Sequence, residues 1–402
     1  MRKSLQFAVF LKNLATGILA PVLSLALLAH GATVSTVSLM VGAYSFTVIV
    51  SEFPSGVFAD LCGRKRSFLL SSVLLSLCYC LMLFSRSALA LFFAMVLNGL
   101  GRAFSSGSID ALAIDEASAD DGALVRVTAR LSILESAGLA SGALLGGMLS
   151  SIGDQYAGNI GANLAISAFL VAFTSLCIRE QRCGCAEKKE ANGERRVSVG
   201  AHVKESLAFM MQKGVVRALF VLSLATGFAL VSIETYWQIA LSACSPAPWV
   251  FGAVSFLGFA CVILGSKAAE RLLIKKPGIG AALLLGFKAL AGCCLILLVS
   301  QLRELPFIAV YALAYLFIGG GSIAENTLLN RAAPSSRRAG ILSLFSFVMQ
   351  IGGLIASLCG YLVSENADYR SMWLIAGALL LLCAGASALP LKQSRSKSAA
   401  SR

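Results

Sequence analysis

Apolar stretches long enough to cross a bilayer recur twelve times along this chain. They leave little between them from which a water-soluble domain could be built. The stretches are Leu5–Ala29, Ala32–Ala59, Ser67–Ser85, Leu89–Ile114, Leu131–Ile152, Ile160–Ile178, Val215–Leu241, Trp249–Ala269, Gly278–Ser300, Leu305–Leu328, Gly340–Val363 and Met372–Leu389. A helix needs roughly 20 apolar residues to cross the hydrocarbon core. In that core every backbone N–H and C=O must be satisfied within the protein, which for runs of this length means helices. Only 13% of the 402 residues are charged and 57% are hydrophobic, whereas soluble domains carry roughly 25% charged residues. The expected fold class is an all-α polytopic membrane protein with twelve transmembrane helices. The first stretch holds Lys12 and Pro21, lacks an A-x-A cleavage pattern and runs straight into the next span. It reads as a retained helix, not a signal peptide.

The formal net charge of +13 raises nucleic acid as a partner, but the placement of the cations argues against it. With the N-terminus in the cytoplasm, 27 of the 33 basic residues fall in or beside cytoplasmic loops and tails. Only Arg86, Arg303 and Arg370 lie outside, and Lys12, Arg102 and Lys288 lie within spans. This asymmetry places both termini inside, and the basic face suits anionic lipid. The expected partners are the bilayer and a small-molecule substrate, with the protein a monomer in the plasma membrane, the inner membrane of a bacterium. Most of the 12 cysteines sit in apolar spans and read as small packing residues. Cys183-Gly-Cys185 has no His or second Cys pair to complete a metal site, so no metal is expected.

The chain has one marked polar break, from Arg179 to Lys213, and the six-span blocks on either side resemble each other. Phe10-x-x-x-Leu14-Ala15-Thr16-Gly17 recurs 210 residues on as Phe220-x-x-x-Leu224-Ala225-Thr226-Gly227. In the same register Gly42-Ala43-Tyr44-Ser45-Phe46 meets Gly252-Ala253-Val254-Ser255-Phe256, and Ala59-Asp60 meets Ala269-Glu270. Three matches in one register predict two pseudo-symmetric six-helix bundles related by an axis along the membrane normal. The expected layout is a first bundle at 1–178, a linker at 179–214, a second bundle at 215–390 and a basic tail at 391–402. Within the linker, residues 198–212 could lie as an amphipathic helix on the cytoplasmic surface.

Between the second and third spans runs Gly56-Val57-Phe58-Ala59-Asp60-Leu61-Cys62-Gly63-Arg64-Lys65-Arg66. Gly63 permits a turn where a Cβ would clash, and Arg64, Lys65 and Arg66 hold the loop in the cytoplasm. This G-x-x-x-D-x-x-G-R-K-R pattern resembles the signature loop of the major facilitator superfamily, with Leu61 where the family usually has Arg. The resemblance covers nearly the whole chain. It implies two six-helix bundles rocking about a central cavity lined by the first and fourth helices of each half. It further implies that Asp60 caps a helix of the other half and that Arg64 pairs with an acid ending the fourth helix, best matched by Asp115. These contacts would form a gate on the cytoplasmic side. In the fifth span Gly138, Gly142, Gly146 and Gly147 set small residues for close helix contact. There Gly142-Ala143-Leu144-Leu145-Gly146-Gly147 resembles the antiporter motif of the family, with Ala143 in place of its proline.

Ionisable residues inside spans cost roughly 2.5–3.5 kcal/mol each on insertion scales and so mark function or pairing. Arg102 and Asp110 are eight residues apart on the fourth span, about 80° apart on one continuous helix, and could form a protonation-sensitive pair. Glu234, with Tyr236, Trp237 and Gln238, could hold a flat or cationic molecule; the plainer reading is an interfacial aromatic belt. Glu325 lies near the repeat position of Asp110 and could carry a proton, snorkel to water or pair with Arg331. Glu52, before Pro54, could pair with Lys12; Glu135 reads similarly, and Lys288 is expected to snorkel. No phosphate-binding G-x-x-x-x-G-K-[ST] element appears, so the expected energy source is a proton gradient, with no cofactor.

The functional expectation is a secondary transporter exporting small amphipathic or cationic organic molecules by alternating access, as the resemblance to efflux members implies. The alternative is a proton symporter importing a nutrient or metabolite, favoured if Arg102 and Lys12 face the cavity. An enzyme is not expected, because His30 and His202 are the only histidines and neither has partners for catalysis.

Overall fold

The structure, a computed structural model, describes residues 2–115, 121–154, 156–178, 214–334 and 338–400. Cys183, Cys185 and the segment 198–212 lie outside the described residues. Among the described residues, 12 helices are long and apolar enough to cross a membrane. In the first half these are α1 (Lys3–Ala29), α2 (Val34–Cys62), α3 (Arg64–Phe84), α4 (Ala88–Ile114), α5 (Arg126–Leu149) and α6 (Ala157–Cys177). In the second they are α7 (Gly214–Ser242), α8 (Pro248–Lys275), α9 (Gly280–Leu298), α10 (Glu304–Ala332), α11 (Gly340–Asn366) and α12 (Ser371–Leu391). The chain is an all-α multi-pass membrane protein.

Local chemistry sets the helix ends and two breaks. Thr33 caps α2: its hydroxyl accepts from the Thr36 N–H, and its own N–H donates to the Thr36 hydroxyl. Gly63 joins α2 to α3 at φ 103°, a conformation that a Cβ disfavours. α1 is interrupted by a 3₁₀ turn at Ala20–Val22, where Pro21 lacks an N–H to continue the ladder. α4 is interrupted between Ser105 and Ile109, around Gly107 at φ +66°.

The repeat seen in the sequence reappears in the contacts. α1 crosses α5 where Gly17 meets the Leu139 carbonyl and Gly142 meets the Leu14 carbonyl. α7 crosses α11 where Gly227 meets the Met349 carbonyl and Gly352 meets the Leu224 carbonyl. Every partner in the second crossing is the first shifted by 210. The two halves touch in the same symmetric way. Gly42 of α2 lies against Ser357 of α11, and Gly252 of α8 lies against Gly147 of α5, again at an offset of 210. A pseudo-two-fold relation of the halves accounts for both.

These crossings explain the glycines of α5. Gly138, Gly142 and Gly146 face the α1 backbone, and Gly147 faces the other half. A Cβ on Gly142 would fall 2.9 Å from the Gly17 Cα, with no flexible side chain to give way. Gly142→Val is expected to force α1 from α5 and to remove most of the monodisperse protein in size-exclusion chromatography. Wild-type yield and profile would show that the approach is dispensable.

Candidate functional site

Between the halves lies a cavity of about 680 Å³. Its first-half wall carries Lys12, Asn13 and Thr16 of α1, Tyr44 of α2, Asn98, Arg102 and Asp110 of α4, and Glu135 of α5. Its second-half wall carries Val231, Glu234, Thr235 and Gln238 of α7. Three carboxylates and two cations are set among apolar lining residues such as Leu19, Leu23, Phe68, Tyr79 and Met95.

Asp110 pairs with Lys12, not with Arg102: Lys12 Nζ donates to Asp110 Oδ2 at 2.7 Å. The expected Arg102–Asp110 geometry assumed one continuous helix, and the break at Gly107 rotates Asp110 toward α1. The other Asp110 oxygen, Oδ1, is buried without a hydrogen bond among the described residues. Glu52 does not take Lys12 either; it accepts a long 3.5 Å bond from Gln350 of α11. Arg102 is exposed to the cavity beside the Tyr44 hydroxyl, with no ion-pair partner among the described residues. Glu135 lines the cavity without an ion pair among the described residues.

On the opposite wall Glu234 accepts from the Tyr315 hydroxyl. The rest of the expected aromatic cluster turns away from the cavity. Trp237 is 1% exposed and packs on Phe251 and Tyr311 inside the second bundle. It is a core residue here, because α7 buries the Trp237 face against α8 and α10. Tyr236, also buried, bonds Ser38 of the first half at 2.5 Å. Gln238 is engaged by protein: its Oε1 accepts from the Ser24 N–H at 2.9 Å and its Nε2 donates to the Ala20 carbonyl at 2.8 Å.

Glu325 and Lys288 lie off the cavity. Lys288 does not snorkel: it is 2% exposed and donates to Glu325 at 2.6 Å and to the Thr226 hydroxyl. Its face of α9 turns to α7 and α10, where burial forces it to find partners. His30 ends α1 with its Nδ1 2.8 Å from the Ala26 carbonyl, a capping role. Asn98, Tyr44, Tyr315 and Thr226 were not singled out as site residues from the sequence. Asn98 alone had a signal, one helical turn before Arg102.

The bonds between halves crowd one end of the bundle, the distal end, where Ser24 meets Thr235 and Gln238, and Ser38 meets Tyr236. The end bearing Gly63 is open. Asp60 is exposed and finds no partner among the described residues. Arg64 donates to the Gly107 carbonyl at 3.4 Å and Lys65 to the Ser175 carbonyl at 3.0 Å, both within the first half; the Asp115 side chain lies outside the described residues. Gly42, Ser45, Ile49, Glu52 and Gly56 share the α2 stripe that faces α11 near its distal end, yet a Cβ on Gly56 would meet nothing within 4 Å.

A sequence profile of the Major Facilitator Superfamily matches residues 5–323 and 247–402. The chain belongs to the major facilitator superfamily. An uncharacterized MFS-type transporter of Bacillus subtilis (strain 168), YxaM, is 24% identical over 377 residues, covering 92% of this chain and 91% of YxaM. The nucleoside transporter NupG has a similar structure, with TM-score 0.78, 14% identity and coverage of 97% of this chain and 98% of NupG. A bacterial homolog of the human lysosomal transporter Spinster gives TM-score 0.70 at 13% identity, covering 97% of this chain and 96% of that one. The D-xylose–proton symporter gives 0.69 at 14% identity, covering 95% and 96%. Membership of this transporter family makes the chain a transporter, without naming its substrate, and the likeness to the solved structures shows the fold.

The open space at Gly56 allows a direct test of whether α11 approaches it during transport. Gly56→Leu is expected to leave the melting temperature within about 2 °C of wild type, as open surface sites usually do, while stopping transport. Normal flux would show that α11 never approaches Gly56.

Proposed function

We propose that this superfamily member is a proton-linked secondary transporter that imports a small polar solute bearing an anionic group. The observation that carries this reading is Arg102, exposed on the cavity wall with no carboxylate paired to it among the described residues. A cation held in a lipid-sheltered cavity is costly, and a substrate anion would offset that cost. Trp237 and Tyr236 are buried outside the cavity, which removes the aromatic pair expected to hold a flat cation beside Glu234. Placing both termini in the cytoplasm of a plasma membrane makes the described conformation open to the cytoplasm. The proton linkage is assigned to the Lys12–Asp110 pair, which joins α1 to α4 in the cavity wall.

A second reading is export of a cationic amphipathic molecule by proton exchange. Glu234 in the cavity wall favours it, as does the likeness of Gly142 to Gly147 to the antiporter motif. Vesicles containing the purified protein, an imposed pH gradient and a panel of polar metabolites and cationic dyes separate the two. Arg102→Ala is expected to lower flux of the polar solute about 30-fold or more, as truncating one member of a desolvated charge pair does. Asp110→Asn is expected to leave exchange at equal pH but remove the response to the gradient. Dye flux unaffected by Arg102→Ala, with no polar solute moved, would overturn the uptake reading in favour of export.

A further inference from the structure

The first-half wall of the cavity carries Lys12, Arg102, Asp110 and Glu135, and the second-half wall carries Glu234. Lys12 and Asp110 pair with each other on the first-half wall. That leaves Arg102 as the cation without a carboxylate among the described residues, with Asn98 one turn earlier on the same helix and the Tyr44 hydroxyl beside it. Gly99 lets α2 approach at this level, since a Cβ there would lie 2.8 Å from the Tyr44 carbonyl. A guanidinium, an amide and a phenol on one patch form a donor set that suits a carboxylate or a similar planar anion.

Among the described residues, Glu234 is the only carboxylate on the second-half wall of the cavity. Tyr315 donates to its Oε1, which orients the carboxylate, and the residue is exposed to the cavity. Val231, one turn before Glu234, shares with Arg102 both the main cavity and the recess beside Glu52. α7 therefore carries Glu234 to the wall across from Arg102.

We infer that the substrate is a small zwitterion, its anionic group held by Arg102, Asn98 and Tyr44 and its ammonium group by Glu234. This rests on the transport reading above and narrows its substrate class. Such a molecule pairs its anion with Arg102 of one half and its ammonium with Glu234 of the other, and so spans the gap between them. Its two ends are both held only when the halves come together, which is the differential interaction that a substrate must supply to drive closure. A solute with one charged end satisfies one wall and leaves the opposite charge desolvated and unpaired.

The test uses the full-length protein in lipid nanodiscs. L-alanine, di-L-alanine and tri-L-alanine provide a ladder of charge separations. Each is compared with its N-acetyl form, which lacks the cation, and its C-terminal amide, which lacks the anion. Binding is read as thermal stabilisation over a concentration series. At least one zwitterion is expected to bind, with both of its derivatives weaker by about 30-fold or more. Glu234→Gln should abolish the advantage over the N-acetyl form alone, and Arg102→Ala the advantage over the amide alone. Derivatives that bind as well as their parents, variants that weaken all three forms alike, or no binding by any zwitterion would overturn the inference. In each case flux of other polar anions under a pH gradient tells whether the transport reading survives. If such flux persists, only the zwitterion assignment falls; if it is absent too, both fall.

Discussion

Glu325→Ala is expected to destabilise the second bundle by about 3–5 kcal/mol, the cost of leaving one member of a buried ion pair alone. Lys288 is held by Glu325 at 2.6 Å and by the Thr226 hydroxyl, with side-chain exposures of 2% for Lys288 and 5% for Glu325. Removing the carboxylate leaves an ammonium group with one neutral partner and no route to water in this conformation. The double variant Lys288→Met, Glu325→Leu should recover most of the loss, because the apolar pair removes both desolvation costs. Thermal melting of the detergent-solubilised protein, followed by intrinsic fluorescence, measures both. By contrast Asp110→Ala should cost less, since the Lys12–Asp110 pair borders the cavity and is the more exposed of the two, at 12% and 23%. Equal losses for Glu325→Ala and Asp110→Ala, or no recovery in the double variant, would show that the inner pair is not what holds α7, α9 and α10 together.

What the sequence could convey here followed from periodicity. Hydropathy is summed over a whole span, so the twelve helices and their order stand out even though their ends shift by a few residues. Backbone contact at glycines is also local enough to read. Gly17, Gly142, Gly227 and Gly352 sit in one register because the same crossing is built twice. The pairing of charges was less legible, because it depends on rotation about helix axes. A helical wheel puts Asp110 beside Arg102 only if α4 is unbroken, and Gly107 breaks it. Lys288 looked like a lipid-edge residue because nothing in its own segment tells which neighbour covers it. Trp237 was drawn toward the substrate by its nearness to Glu234, although three residues along a helix is enough to move a side chain from a cavity into a core. Gln238 shows the limit most clearly, since its partners lie more than 200 residues away in the chain.

Those partners make the second large effect expected, on the balance between the two faces of the transporter. The Ser24 N–H and the Ala20 carbonyl are the two groups that a continuous α-helix would bond to each other, four residues apart. Here Gln238 of the opposite half stands between them, accepting from one at 2.9 Å and donating to the other at 2.8 Å. The side-chain amide thus completes the backbone of α1 where Pro21 and the 3₁₀ turn interrupt it. Separation of the halves at the distal end would withdraw Gln238 and leave α1 free to close its own Ser24–Ala20 bond. Distal closure and helix continuity are then alternatives competing for the same two groups. Gln238→Leu keeps the bulk of the side chain and removes both bonds, at about 1 kcal/mol each. It should favour the distal-open state by about 30-fold. Pro21→Ala restores an N–H to the ladder and should push the same way, with less than additive effect in the double variant because both act on one break. A cysteine placed at Ser38 in a cysteine-free background reports the shift, since Ser38 is 1% exposed under the distal contacts. Its alkylation by an impermeant maleimide added from the distal side should accelerate about 10-fold or more in either variant. Labelling rates equal to the parent in both would mean that the amide fills a gap in α1 without latching the halves, and that distal closure rests on the glycine contacts of α2 with α11 and α5 with α8.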